Sequence, residues 1–278
     1  MKRPPAPTTW LALASATSLI GGILWLVLLL RADAAVAPVS VRLPTGETIT
    51  VEYDSTAARA FSRAERRAIE DGAARVFPDV RRVLPELPPT LVLRMATASS
   101  KDVVPETGEA GTNAFPDIVF WSIDASRPEG VGTIVRTYLR QALFHELAHL
   151  ARAYAVGGSG NLRHHVMQEG VATAIERDYG GGAPPLWGQY PPNVSSWAKE
   201  LLALPEAAPG GPWFVKRSEG GSWVGSKVGT YLVDCAAKAS GKTSAALVRV
   251  PTDTLIAMAI EACPAHGAVV PDSGDRTQ

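Results

Sequence analysis

The sequence predicts an α+β fold: a small N-terminal mixed sheet, then a helical C-terminal part, with one transmembrane or signal helix ahead of both. Three observations carry this expectation. Strand-like runs (VSVRL, TITVEY, TLVLRMA, DIVFWSID) are confined to the first half of the chain. Helical periodicity dominates from residue 130 onward, punctuated by glycine and proline. Residues 10–30 carry no charge and end in the strongly apolar ILWLVLLL.

With 278 residues and 46% hydrophobic content, the chain can bury a sizeable core without needing more than one domain. Its 27 Lys+Arg balance 27 Asp+Glu, and no basic stripe is present, so no nucleic-acid partner is expected. The mixed cluster Arg63, Glu65, Arg66, Arg67 and Glu70 reads as a solvated helix face. The expected organisation is residues 1–33 as membrane anchor or signal segment, 34–38 as linker, 39–263 as one domain, and 264–278 as a disordered polar tail.

Lys2 and Arg3 precede the apolar stretch, which keeps the N-terminus in the cytoplasm and exports the rest. Two readings of the segment stand. As an uncleaved anchor it makes a single-pass membrane protein whose body lies outside. As a signal peptide with a small-x-small site at Ala32-Asp33-Ala34, it yields a secreted or periplasmic protein. Export permits a bridge between Cys235 and Cys263, and a disulfide or two buried thiols is the expectation for them.

The elements follow in order. VSVRL and TITVEY flank the turn PTGE and predict a β-hairpin over residues 39–53. A helix is expected over residues 56–76, stopped by Pro78. Strands follow at residues 90–96 and 117–124, separated by a Gly- and Thr-containing loop. Helices are expected at residues 130–154, ended by Gly157-Gly158, and at 165–179, ended by glycines 180–182. Residues 183–222 are rich in Pro, Gly and Trp, with a short helix at 195–204. Two more helices lie at 225–239 and 252–261.

The chemistry concentrates in QALFHELAHLA, residues 141–151. At about 100° per residue, His145, Glu146 and His149 share an arc of roughly 100°. Leu139, Leu143, Leu147, Leu150 and Tyr154 form an apolar stripe on a different face, which gives the helix a core to pack on. Two imidazoles one turn apart can reach one zinc ion, with the adjacent glutamate beside the open coordination position. Zinc brings the pKa of bound water to about 7, and Glu146 is placed to take that proton. The competing reading is a helix with two core histidines satisfied by hydrogen bonds; H-E-x-x-H arises by chance in roughly one chain of this composition in 200.

A catalytic zinc needs a third protein ligand. The metzincin spacing would place it at position 155, which is alanine, so that pattern is excluded. The next candidates are His164, His165 and Glu169. Glu169 opens EGVATAIE, where the small residues Gly170 and Ala172 would let this helix pack closely against the first, and where Glu176 shares the Glu169 face as an outer partner or an Arg-paired residue.

HELAH at 145–149 and EGVATAIE at 169–176 resemble the gluzincin group of zinc peptidases, and more narrowly the DUF2268 family of predicted zinc-dependent proteases. VGSKVGTYLVD and LVRVPTDTLIAMAI match that family's C-terminal helices, so the resemblance spans about residues 115–260. It implies a zincin-like domain, a Zn2+ cofactor, His145, His149 and Glu169 as metal ligands, Glu146 as catalytic base, and a peptide or protein substrate. Ser226 stands where family members often carry an aromatic residue; His164, His165, Tyr190 and Tyr231 are the candidate oxyanion donors. A catalytically inactive zinc-binding envelope protein with the same fold is the alternative function.

On the substrate side, residues 118–123 could be an exposed sheet edge that adds an extended peptide, or an ordinary core strand. Trp187, Trp197, Trp213 and Trp223 could wall a cleft or pack loops onto helices, with packing favoured.

Overall fold

The computed structural model describes residues 37–54, 57, 59–158, 160–214 and 221–263. The expected anchor or signal segment, most of the linker and the tail lie outside the described residues. The fold is α+β, with a five-stranded mixed sheet and, among the described residues, eight α-helices. None of the described helices is long and apolar enough to cross a membrane.

The first two strands, β1 (Val39–Arg42) and β2 (Thr48–Tyr53), form the expected antiparallel hairpin. Helix α1 (Arg63–Val83) then crosses over to β3 (Thr90–Ala98), which pairs parallel with β2. The α1 limits differ from expectation at both ends. Ser62 and Glu65 form a capping box that fixes the start at Arg63 rather than near residue 56; Ala57, Arg59 and Ala60 are not yet helical. Pro78 does not stop the helix: it sits on the exposed face, where water can satisfy the carbonyl it leaves free, while Phe77, Val80 and Leu84 bury the opposite face.

Beyond β3, the Gly- and Thr-containing segment is a strand, β4 (Glu109–Ala114), rather than a loop. It pairs antiparallel with β5 (Ile118–Asp124), which itself pairs parallel with β3. The order β1-β2-β3-β5-β4 therefore puts β5 inside the sheet and β4 at its edge. The expectation of an edge at residues 118–123 is corrected: that stretch is a core strand burying Val119, Trp121 and Ile123.

Helix α2 (Val131–Val156) packs on α1, β4 and β5, and on α3 (Leu162–Tyr179). Leu139, Leu143, Leu147 and Leu150 are buried as the stripe requires, but Tyr154 is 40% exposed and rests on the ring of exposed Phe115. After a 3-10 turn (Leu186–Gly188) come α4 (Val194–Ala203), the short α5 (Gly211–Phe214), α6 (Val224–Ser240), the short α7 (Ser244–Leu247) and α8 (Thr252–Ala262).

Two glycines set the distance between α3 and α6. A Cβ on Gly229 would lie 2.0 Å from the Val166 carbonyl oxygen, and one on Gly170 would lie 2.2 Å from the Gly229 carbonyl carbon. Gly170 thus serves the α3–α6 crossing, not the approach of α3 to α2 that its sequence position suggested. Arg152 ties the last segment to α2. Fully buried, its guanidinium donates to the carbonyls of Leu247, Val248 and Val250 and to Thr252 Oγ1. A disulfide joins Cys235 on α6 to Cys263 just past α8.

Candidate metal centre

The regularity of α2 presents His145 and His149 on the same side one turn apart, and α3 packs across that side. His145 Nε2 and His149 Nε2 are 3.2 Å apart. Glu169, in the middle of α3, brings Oε1 to 3.5 Å from His149 Nε2 and Oε2 to 3.8 Å from His145 Nε2. These three side chains form a group that could hold a metal ion. Of the three candidates for the third ligand, the structure brings only Glu169 to the histidines. His164 is buried elsewhere, with Nδ1 3.1 Å from Thr252 Oγ1.

Two members of the group are held from behind. Glu176, two turns beyond Glu169 and 2% exposed, places Oε2 2.9 Å from His145 Nδ1. That contact assigns a proton to Nδ1 and turns Nε2 toward His149. The same carboxylate oxygen accepts the Trp187 indole N–H at 2.8 Å. On the other side, Ser226 in the first turn of α6 donates its hydroxyl to Glu169 Oε2 at 3.2 Å. The Gly170–Gly229 crossing makes this contact possible, since Ser226 lies one turn before Gly229 and Glu169 directly precedes Gly170.

Glu146 points from α2 toward the edge strand and is only 7% exposed. Alternation along β4 puts Glu109, Gly111 and Asn113 on one face. Asn113 donates its amide N–H to Glu146 Oε2 at 2.8 Å. Gly111 leaves room for the carboxylate, because a Cβ there would lie 2.6 Å from Glu146 Oε1.

Burial works against charge throughout the centre. It opposes a proton on His145, yet the bonded Glu176 carboxylate lifts that imidazole to about 10. His149 is pushed down to about 4 by burial, with Glu169 opposing and the nearby His145 adding to the shift. Burial pushes the Glu146 carboxyl up to about 7, against the pull of His145 and of the Asn113 hydrogen bond. A cation held by the histidines would draw it back down.

A cavity of about 520 Å³ opens onto His145, Glu146 and Glu169. Trp187 and Trp223 line it, whereas Trp197 and Trp213 are buried in the core, so the four tryptophans divide between the two readings. Trp223 caps α6 with φ at 59°, a left-handed conformation that costs a non-glycine residue about 1 kcal/mol or more. Of the residues expected as oxyanion donors, none lines this cavity. Tyr190 donates its hydroxyl to Asp234 instead, and its ring packs on Tyr231.

Sequence reasoning missed Gly111, Asn113 and the Trp187–Glu176 contact. The dipeptide Asn113-Ala114 carries no chemical signature until β4 is known to pass over Glu146. The chain matches no model of a known protein family, and a comparison with curated proteins also finds no match.

Proposed function

We propose that this protein is a zinc-dependent peptidase of zincin-like fold that works outside the cytoplasmic membrane, tethered by its N-terminal segment or released from it. The observation that carries the reading is the convergence of His145 Nε2 and His149 Nε2, 3.2 Å apart, with the two Glu169 carboxylate oxygens at 3.5 and 3.8 Å from them, beside a buried glutamate. Tetrahedral zinc with ligands at about 2.0–2.1 Å has edges of about 3.3–3.4 Å between them. A His-His-Glu donor set suits zinc with a free fourth position. The resemblance of HELAH and EGVATAIE to gluzincins supports the same reading, and the Cys235–Cys263 disulfide suits an exported domain.

Held by His145, His149 and Glu169, a zinc ion would supply Lewis acidity toward a peptide carbonyl and toward water. The residues do the rest. Glu146 accepts a proton from the attacking water and delivers it to the amide nitrogen as the C–N bond breaks. Asn113 and Gly111 fix where its carboxylate lies. Glu176 orients His145, and Ser226 orients Glu169. The outer edge of β4, with Gly111 and Thr112 exposed, offers backbone groups to an extended peptide.

Metal analysis of the purified protein tests the metal, with one zinc per chain expected. Glu146→Gln is expected to keep that zinc and abolish peptide hydrolysis. Hydrolysis that persists in the zinc-loaded variant would overturn the role of Glu146. Tight zinc without hydrolysis of any peptide in a broad library would identify a binding module instead.

A further inference from the structure

The cavity beside the metal-ligand group extends from His145 along the N-terminal half of α2, between the start of β4 and the loop that carries Trp187. Its walls include Val104, Ala142, Pro184 and Leu186. No Lys or Arg lines it. Two of its carboxylates, Glu106 and Glu109, have no part in the metal group or in the chemistry proposed for Glu146.

Glu109 is built into the cavity. It is 5% exposed; Oε1 accepts from Thr107 Oγ1 at 2.9 Å, and Oε2 accepts from Trp121 Nε1 at 2.6 Å. Two neutral donors fix the plane of the carboxylate, while each oxygen keeps capacity for a further bond. No cationic side chain pairs with it among the described residues, and Glu176, His145 and Glu146 are the charged groups it interacts with. Burial pushes its carboxyl up, so an entering cation would stabilise the charged form. Glu106 is exposed on the same rim.

We propose that this cavity is the specificity pocket of the peptidase and takes a long cationic side chain, arginine or lysine, with Glu109 as the specificity-determining residue. The apolar walls match the aliphatic stem of such a side chain. The fixed carboxylate matches its charged end, through bonds stronger than those between neutral groups. An acidic side chain would meet like charge in a site already holding Glu146, Glu169 and Glu176. The proposal rests on the peptidase reading, but its test does not require turnover.

Trp187 and Trp223 line the cavity and report on its occupancy by fluorescence. The full chain is titrated with argininamide, norleucinamide and glutamic acid amide. Argininamide is expected to bind at least about tenfold more tightly than norleucinamide, with the glutamic acid derivative weakest. Glu109→Gln, which keeps an acceptor for Trp121, should remove most of that ratio; Glu106→Gln should reduce it less. Equal affinities for the three amides in the wild-type chain would overturn the proposal even if a variant fails to fold. A preference that survives Glu109→Gln would overturn the role of that residue. A cationic preference together with no peptide hydrolysis would sink the peptidase reading and keep the pocket assignment.

Discussion

Gly111→Ala isolates the placement of Glu146 from both folding and metal binding. Gly111 does not adopt positive φ, so alanine fits its backbone conformation, and the position lies on the exposed edge strand β4. The new methyl group would lie 2.6 Å from Glu146 Oε1, 3.0 Å from Cγ and 3.1 Å from Cδ. Ordinary contact begins near 3.4 Å, so the carboxylate must retreat by roughly 1 Å and strain its bond to Asn113. A misplacement of about 1 Å costs on the order of 100-fold in rate, or about 2.7 kcal/mol of barrier. Stability should stay level within about 1 kcal/mol, because the restriction alanine places on the unfolded chain offsets the strain on Glu146.

The assay is a peptide cleavage rate measured beside zinc content and a thermal melt. The expected pattern is a roughly 100-fold loss in kcat, with zinc occupancy and melting temperature unchanged. Full activity in Gly111→Ala, with the alanine confirmed in place, would refute the assignment of Glu146 as a base fixed against β4. Loss of zinc would show that the edge strand governs the metal group instead.

Glu176→Gln removes the charge behind His145 while keeping its shape; zinc affinity should fall about 10- to 100-fold in chelator competition, and an unchanged affinity would dismiss Glu176 as an orienting group. Gly229→Ala forces α3 and α6 apart, since its Cβ would meet a backbone oxygen at 2.0 Å; urea unfolding should show a loss on the order of 3 kcal/mol, and zinc should bind more weakly because Ser226 is carried away from Glu169. His164 is pushed down to about 4 by burial, with Arg152 and His165 adding and Asp253 opposing. Its unfolded form takes up a proton below about pH 6.5 while the folded form resists, so its contribution is complete above that pH and is lost as pH falls toward 4. Relaxation of the surroundings and water penetration limit the effect to on the order of 2 kcal/mol; His164→Gln should flatten the urea midpoint between pH 7 and pH 4.5 relative to wild type, and parallel pH profiles would rule the group out.

What could be read from the sequence was whatever a single helix or hairpin encodes by itself. The spacing of Leu139, Leu143, Leu147 and Leu150 gave α2 its buried stripe, and the same regularity put His145 and His149 side by side. Glu169 was legible because a carboxylate opening a run of small residues is unusual in a helix that must pack closely. By contrast, EAGTNA has a single β-branched residue, Thr112, and lacks the apolar–polar alternation of a strand. It becomes β4 through pairing with β5, from Glu109↔Ile123 to Ala114↔Ile118, which no local pattern records. Pro78 misled for a related reason: a proline ends a helix only where nothing else holds it, and here Phe77, Val80 and Leu84 anchor both sides of the ring.

The division follows how the centre is assembled. Its metal-facing atoms come from two adjacent helices, so their spacing is a local property of the chain. Of its supporting atoms, only those of Glu176 share a helix with a ligand; the others come from Asn113 on the edge strand, Trp187 on the loop after α3, and Ser226 on α6. Two of these contacts need a backbone approach that small residues permit, Gly111 beneath Glu146 and the Gly170–Gly229 pair beside Glu169. A chain that kept HELAH and EGVATAIE but carried alanine at Gly111 and Gly229 would retain the motif and lose the geometry. The glycines are therefore as much a part of the candidate site as the ligands, and substitution at them separates a motif that merely occurs from a site that is built.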